Sequence, residues 1–110
     1  MTNKVFELIL SLGRREFDPQ ETMNVLTTNK KIWWSWGVAS GKCSHKWVAL
    51  KVNGHHHKGY VCIDLGWEDL YRITIISTHG NIKKQIEGIY FDLLVECIDN
   101  EIERIPAYSI

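Results

Sequence analysis

Alternation of apolar and polar residues across positions 47–87 constrains the fold of this chain more than any other sequence feature. Three successive runs place an aliphatic or aromatic side chain at every second position: Val48, Leu50 and Val52; Val61, Ile63 and Leu65; Tyr71, Ile73 and Ile75. A period of two is typical of half-buried β-strands, and turn residues such as glycine and asparagine separate the runs. The stretch therefore predicts consecutive antiparallel strands that form a meander.

The turn after the second run sets the register of this meander. A link of three residues at positions 67–69 places Asp64 opposite Arg72, and opposite charges facing each other across strands contribute about 0.2–1 kcal/mol. For the first run to share the same aliphatic face, the loop near His56 must contain an even number of residues. The opposite face then carries Trp47, Lys51, Tyr60, Asp64 and Arg72, and it is predicted to be open unless the N-terminal helices cover it.

Helical patterns flank the meander on both sides. Residues 3–12 carry apolar side chains at helical spacing and predict a short helix that Gly13 ends. Asp18 followed by Pro19 predicts the N-cap and first turn of a second short helix. Apolar residues repeat at helical spacing again across positions 90–104, which predicts a long amphipathic helix closed by a proline.

Together these elements predict an α+β fold. An antiparallel meander of four or five strands is expected to pack on the long C-terminal helix, with two short helices at the N-terminal end. A length of 110 residues predicts one domain over positions 1–110. The aromatic run at 32–38 is predicted to be an additional strand with Trp34 and Trp36 on its inner face and Trp33 on the opposite face. The polar stretch at 39–45 is predicted to be a loop.

Composition narrows the classes of function. Thirteen basic and thirteen acidic residues cancel, which argues against nucleic acid as a partner because phosphate binding needs clustered surplus Lys and Arg. No run approaches the roughly 18 apolar residues of a membrane span. Three scattered cysteines predict reduced thiols in the cytoplasm rather than a disulfide framework. The chain resembles the small proteins common in bacterial and phage genomes, and this resemblance implies no particular activity.

A run of three histidines between two glycines is the most unusual local feature. Alternate turns of a meander lie at the same end of the sheet, so the loop with His55 and His57 is expected near His79. Neutral imidazoles bind zinc, nickel or copper, which makes these three residues a candidate zinc or nickel site. Consecutive histidines cannot all face one ion in a regular loop, and no carboxylate accompanies them at ligand spacing. The leading expectation is therefore an exposed polar turn without a cofactor.

The leading functional hypothesis is a small cytosolic protein-binding module that contacts another protein or a second copy of itself as a homodimer. Its candidate binding surface combines the aromatic run with the predicted open face, because tryptophan is favoured in interface hot spots. That surface comprises Trp33, Trp47, Lys51, Tyr60, Asp64 and Arg72. Two alternatives remain: a transition-metal-binding protein that uses the histidines, and a nucleic-acid binder that stacks bases on the open sheet face.

Overall fold

The computed structural model describes residues 3–103, which form an α+β fold with one antiparallel sheet. Its five strands are arranged in the order of the sequence, so the predicted meander is confirmed. The elements are α1 (Asn3–Leu12), α2 (Pro19–Leu26), α3 (Lys30–Ser35), β1 (Ser40–Cys43), β2 (Val48–Asn53), β3 (Lys58–Leu65), β4 (Tyr71–Ser77), β5 (Ile82–Ile89), a 3-10 helix (Phe91–Leu93) and α4 (Leu94–Ile102).

The register of the central strands follows from the sequence pattern. Asp64 of β3 faces Arg72 of β4, as the link at 67–69 predicts. β2 and β3 are joined by residues 54–57, an even number, so Leu50 faces Val61 on the aliphatic side. Both predictions of register are confirmed.

The C-terminal helix is shorter than the sequence pattern predicts. A 3-10 helix of three residues precedes α4, and together the two span 12 residues. The change of helix type between Leu93 and Leu94 turns the first apolar residues of this segment away from the buried side: Phe91 is 64% exposed, whereas Leu94 is fully buried. The predicted end of the helix at residue 104 lies outside the described residues.

The aromatic run is helical, so the strand predicted at 32–38 is wrong. The Asn29 side chain caps α3 by accepting a hydrogen bond from the Ile32 N–H at 3.3 Å. Residues three apart share a helix face, whereas residues two apart do not. Trp33 and Trp36 accordingly contact each other, with ring centroids 5.8 Å apart, and Trp34 points to solvent and is 73% exposed.

Residues 40–43 form strand β1 rather than part of the predicted loop. β1 pairs with β2 over its whole length, with Gly41 opposite Leu50 and Cys43 opposite Val48. Serine, glycine and lysine have low strand propensity, so the pairing partner rather than the local sequence determines this element.

Apolar side chains bury both faces of the sheet. One face shares a buried cluster with α2, the end of α3, and α4; its members include Leu26, Trp36, Val48, Leu50, Val61, Ile63, Ile73, Leu94, Ile98 and Ile102. The other face shares a cluster with α1; its members are Val5, Ile9, Leu12, Trp47, Ala49, Tyr60, Cys62 and Ile76. The sheet therefore lies between α1 and the remaining helices. Within residues 3–103, no helix has the length and apolar character needed to cross a membrane.

Candidate functional site

The sheet face that was predicted to be open is covered by α1. Trp47 and Tyr60 are only 5% and 4% exposed, and both belong to the cluster that contains Val5 and Ile9 of α1. Asp64 is fully buried. The expectation of an open aromatic face is therefore wrong. Alternation assigns side chains to the two faces of a sheet, but it does not show that a helix from another part of the chain covers one of them.

Asp64 instead holds a buried ion-pair network together. Its Oδ1 accepts a hydrogen bond from Arg72 Nε at 2.8 Å, and its Oδ2 accepts one from Arg14 Nε at 2.6 Å. Arg72 Nη2 also donates to the Leu12 carbonyl at 2.7 Å, and Arg14 Nη1 lies 3.4 Å from Glu87 Oε1. The two guanidinium groups are thus engaged by carboxylates and by backbone at the end of α1. This arrangement does not present them to a nucleic acid.

The two remaining residues of the predicted binding surface lie apart from this network. Lys51 is exposed on β2, on the α1 side of the sheet. Trp33 is half-buried on the other side, where it lines a cavity with Met23 and Val38. The structure therefore does not bring the six predicted residues together into one surface.

His57 is buried, in contrast to the exposed turn expected for the histidine run. Its Nε2 lies 3.3 Å from the Tyr60 carbonyl, and its Nδ1 lies 3.3 Å from Lys83 Nζ. Because a carbonyl only accepts, we assign the ring proton to Nε2, which leaves Nδ1 to accept from the lysine. Both ring nitrogens are therefore already in use.

The other two candidate metal ligands, His55 and His79, are exposed. The His55 ring packs edge-on against His56, with centroids 4.9 Å apart, and His79 lies in the turn between β4 and β5. Across residues 3–103, the structure places no three side chains of the types His, Cys, Asp and Glu where they could hold a metal ion together. The zinc or nickel alternative thus has no geometric support in this part of the chain.

Acidification is expected to destabilise the fold through His57. Burial lowers the pKa of its imidazole, and the positive charge of Lys83 adds to this, while backbone hydrogen bonds to Tyr60 and Ile76 oppose it. In the folded protein the pKa of His57 lies below the ordinary value of about 6.5. The neutral ring therefore makes its full contribution to the free energy of unfolding above about pH 6.5, and this contribution is lost as the pH falls through the folded pKa. We expect urea unfolding to show a larger loss of stability between about pH 8 and about pH 5 in the wild type than in His57→Gln. His79→Gln, which changes an exposed ring, should lose as much stability over this pH range as the wild type. Equal losses in all three proteins would contradict the role of His57.

An apolar groove of about 550 Å³ lies between the α2–α3 corner and the start of α4. Its apolar walls are Val25 and Ile32 on one side and Phe91 and Val95 on the other. The walls are held in place by Trp36, whose indole Nε1 donates to Asp99 Oδ1 at 2.9 Å and so connects the end of α3 to α4. We call this feature the acidic groove, because carboxylates form its rim.

Exposed apolar side chains continue from the groove along the 3-10 helix and the residue before it. Tyr90, Phe91 and Leu93 are 61%, 64% and 45% exposed. Single exposed apolar residues are common on protein surfaces, but a group of them beside a groove makes this surface a candidate interaction site. The sequence alone assigns Phe91 to the buried stripe of a helix and Ile32 to a strand, and for this reason sequence reasoning missed the groove.

The electrostatic character of the groove comes from the α4 side. Asp92, Glu96 and Asp99 all line it, and none of the lining residues that the structure describes is Lys, Arg or His. One oxygen of Asp99 accepts from the Trp36 indole, while Asp92 is exposed. The groove thus combines apolar walls with a rim of negative charge. Such a site favours a ligand that carries apolar side chains beside positive charges.

Comparison of the chain with family models, with curated proteins and with solved structures finds no match in any of the three.

Proposed function

We propose that this chain is a protein-binding module whose acidic groove receives apolar side chains from a helical partner segment rich in Lys and Arg. The observation that carries the proposal is the coincidence of an apolar groove, an exposed aromatic side chain and a carboxylate rim at one place, formed by Phe91, Val95, Asp92, Glu96 and Asp99.

The energetics favour a partner with several anchors. Full burial of one large apolar side chain contributes about 1.5–3 kcal/mol. Association itself costs about 4–15 kcal/mol, because translational and rotational freedom is lost. A single anchor is therefore insufficient. An amphipathic helix presents apolar residues at i, i+3 or i+4, and i+7 along one stripe, so it can supply several anchors at once, and basic residues beside the stripe would lie near Asp92. The rim charges then contribute mainly to association rate and specificity.

A cytoplasmic location is part of this proposal. Cys43 is exposed, Cys62 is buried and Cys97 is half-buried, and all three are free thiols. Burial raises the pKa of the Cys62 thiol to about 12, so this residue has little thiolate character near neutral pH. Free thiols are typical of reducing compartments.

Two synthetic helical peptides with the same leucine stripe test the proposal, one with a lysine-rich polar face and one with a glutamate-rich polar face. We expect the lysine peptide to bind at least about tenfold more tightly in calorimetric titrations at low salt, because only its charges complement the rim. Phe91→Ala should weaken binding of the lysine peptide, since an apolar wall is shortened. Asp92→Lys should reduce the preference for lysine over glutamate.

Trp67→Ala provides the matched control, because Trp67 is 79% exposed and does not line the groove. This variant should bind the lysine peptide like the wild type. Equal affinity for the two peptides, or binding that Phe91→Ala leaves unchanged, contradicts the proposal. A dimer of the protein alone that Phe91→Ala dissociates would also overturn it, because the groove would then receive a second copy of the chain.

A further inference from the structure

The two edges of the sheet differ in how they are protected. At one edge, Lys83 and Lys84 of β5 are exposed, and register shifts interrupt the pairing of β5 with β4. Lys84 Nζ also contacts Glu101 Oε1 of α4 at 2.8 Å. Charged side chains and bulges discourage the addition of another strand. At the other edge, β1 keeps a regular register with β2 along its whole length. β1 is therefore the edge that can accept another strand.

The β1–β2 ladder shows which backbone groups point outward. The Ser44 N–H donates to the Trp47 carbonyl at 2.9 Å, which marks these residues as a hydrogen-bonded pair. Bonded and non-bonded pairs alternate along antiparallel strands, so Gly41 and Cys43 are the β1 residues whose N–H and C=O do not bond to β2. These backbone groups point to the position of the next strand.

An apolar cavity of about 320 Å³ adjoins this edge. Met23 of α2 and Trp33 of α3 form part of its wall, and Leu50 of β2 contributes from the sheet. Gly41, the residue opposite Leu50, also lines the cavity and has no side chain to cover this position. A large side chain on an added strand can lie across an edge glycine and contact the residues behind it.

The one charged side chain of β1 does not interfere with this arrangement. Lys42 alternates to the opposite face, where its Nζ lies 5.8 Å from the centre of the Phe6 ring of α1. By alternation, Gly41 and Cys43 are the β1 residues on the same face as Val48 and Leu50, and their neighbours Ser40 and Lys42 also line the cavity. With four residues, β1 offers few backbone hydrogen bonds, so an added strand needs the apolar contacts of the cavity as well.

We propose that β1 is a strand-addition site for an extended segment of a partner protein that carries a large apolar, preferably aromatic, residue opposite Gly41. The outward backbone groups of Gly41 and Cys43 supply the hydrogen bonds, and the cavity beside Trp33 selects the side chain. A second copy of this chain fits this site less well, because the cavity-side residues of its own β1 are too small to fill the cavity. The site shares no lining residue with the acidic groove and does not depend on it.

A short extended peptide of alternating threonine and valine with a central phenylalanine tests the proposal. In titrations of ¹⁵N-labelled protein, we expect shifts concentrated at the amides of Gly41 and Cys43 and at the Trp33 indole. Replacement of the phenylalanine with alanine should weaken binding at least about tenfold, because the buried aromatic surface is lost. N-methylation of the phenylalanine amide should abolish binding, whereas N-methylation of the next amide, which points away from β1, should leave it unchanged.

Variants of the protein give an independent check. Gly41→Val places a branched side chain where the phenylalanine would lie and should weaken binding, while Phe91→Ala in the acidic groove should not. The peptide modifications leave the protein unaltered, so they decide the matter even where Gly41→Val perturbs folding. The absence of shifts at Gly41 and Cys43 would overturn the proposal, and so would equal binding of the two N-methylated peptides. Failure of the acidic groove in its own peptide test would leave the strand-addition result unaffected.

Discussion

Asp64→Ala is expected to lower the free energy of unfolding by about 3 kcal/mol. Asp64 is fully buried and receives hydrogen bonds from both Arg14 and Arg72. Removal of the carboxylate leaves the Arg72 guanidinium, whose side chain is only 14% exposed, with the exposed Glu87 carboxylate, 3.9 Å from its Nη1, as the remaining counter-charge. The Arg14 side chain is 32% exposed and can still reach water, which places the loss near the lower end of the range typical of broken buried ion pairs.

Urea unfolding monitored by circular dichroism measures this loss, and two variants separate its causes. Asp64→Asn keeps the shape of the side chain but removes its charge, so a large loss in this variant identifies the charge as the cause. Asp69→Asn removes the charge of an exposed partner of Arg15 and should change stability by less than about 1 kcal/mol, because solvent screens this pair and asparagine tolerates the φ of 60° at this position. Comparable losses in Asp64→Asn and Asp69→Asn would show that the buried charge does not stabilise the fold.

Trp36→Ala is expected to lower the free energy of unfolding by about 3–5 kcal/mol. Trp36 is fully buried in the cluster shared by the sheet and α4, and its Nε1 donates to Asp99. The substitution creates a large cavity and also leaves the Asp99 carboxylate without this donor. Loss of the same bond separates α3 from α4, so the acidic groove should lose its shape even where the variant remains folded.

Trp34 provides a control of the same residue type only two positions away. Trp34→Ala should change stability by no more than about 0.5 kcal/mol, because this side chain is 73% exposed. Circular dichroism rather than tryptophan fluorescence should follow unfolding, because the substitutions remove fluorophores. Trp36→Phe isolates the hydrogen bond, since it retains most of the apolar volume. Similar losses for Trp34→Ala and Trp36→Ala would contradict the helical assignment of this segment.

Strand pairing in the centre of the sheet could be predicted from the sequence because two local rules agree there. Period-two alternation fixes the face of each side chain, and the short turns fix the register, so the pairing of Asp64 with Arg72 follows. Helices α1 and α2 could be predicted for a similar reason: apolar spacing identifies α1, and Asp18 with Pro19 marks the start of α2.

The aromatic run shows where local rules conflict. The spacing of Trp34 and Trp36 fits a strand, whereas the spacing of Trp33 and Trp36 fits a helix. The Asn29 cap stabilises the helical conformation. The candidate site lay beyond sequence reasoning for a different reason. The acidic groove depends on how α2, α3 and α4 meet, and the loss of the open sheet face depends on where α1 packs. Both are contacts between distant segments, which no local pattern encodes.

The position of α1 also has a consequence for the order in which this chain assembles during its synthesis. Each strand of the meander pairs with its neighbour in sequence, so the sheet grows from contacts between nearby residues. α1 is made before every strand of the sheet, yet it shares its buried cluster with Tyr60 and Ile76, which are made much later. A helix of ten residues is marginal alone in water. α1 therefore leaves the ribosome before the strands it packs on, and it is among the last of these elements that can reach its final place.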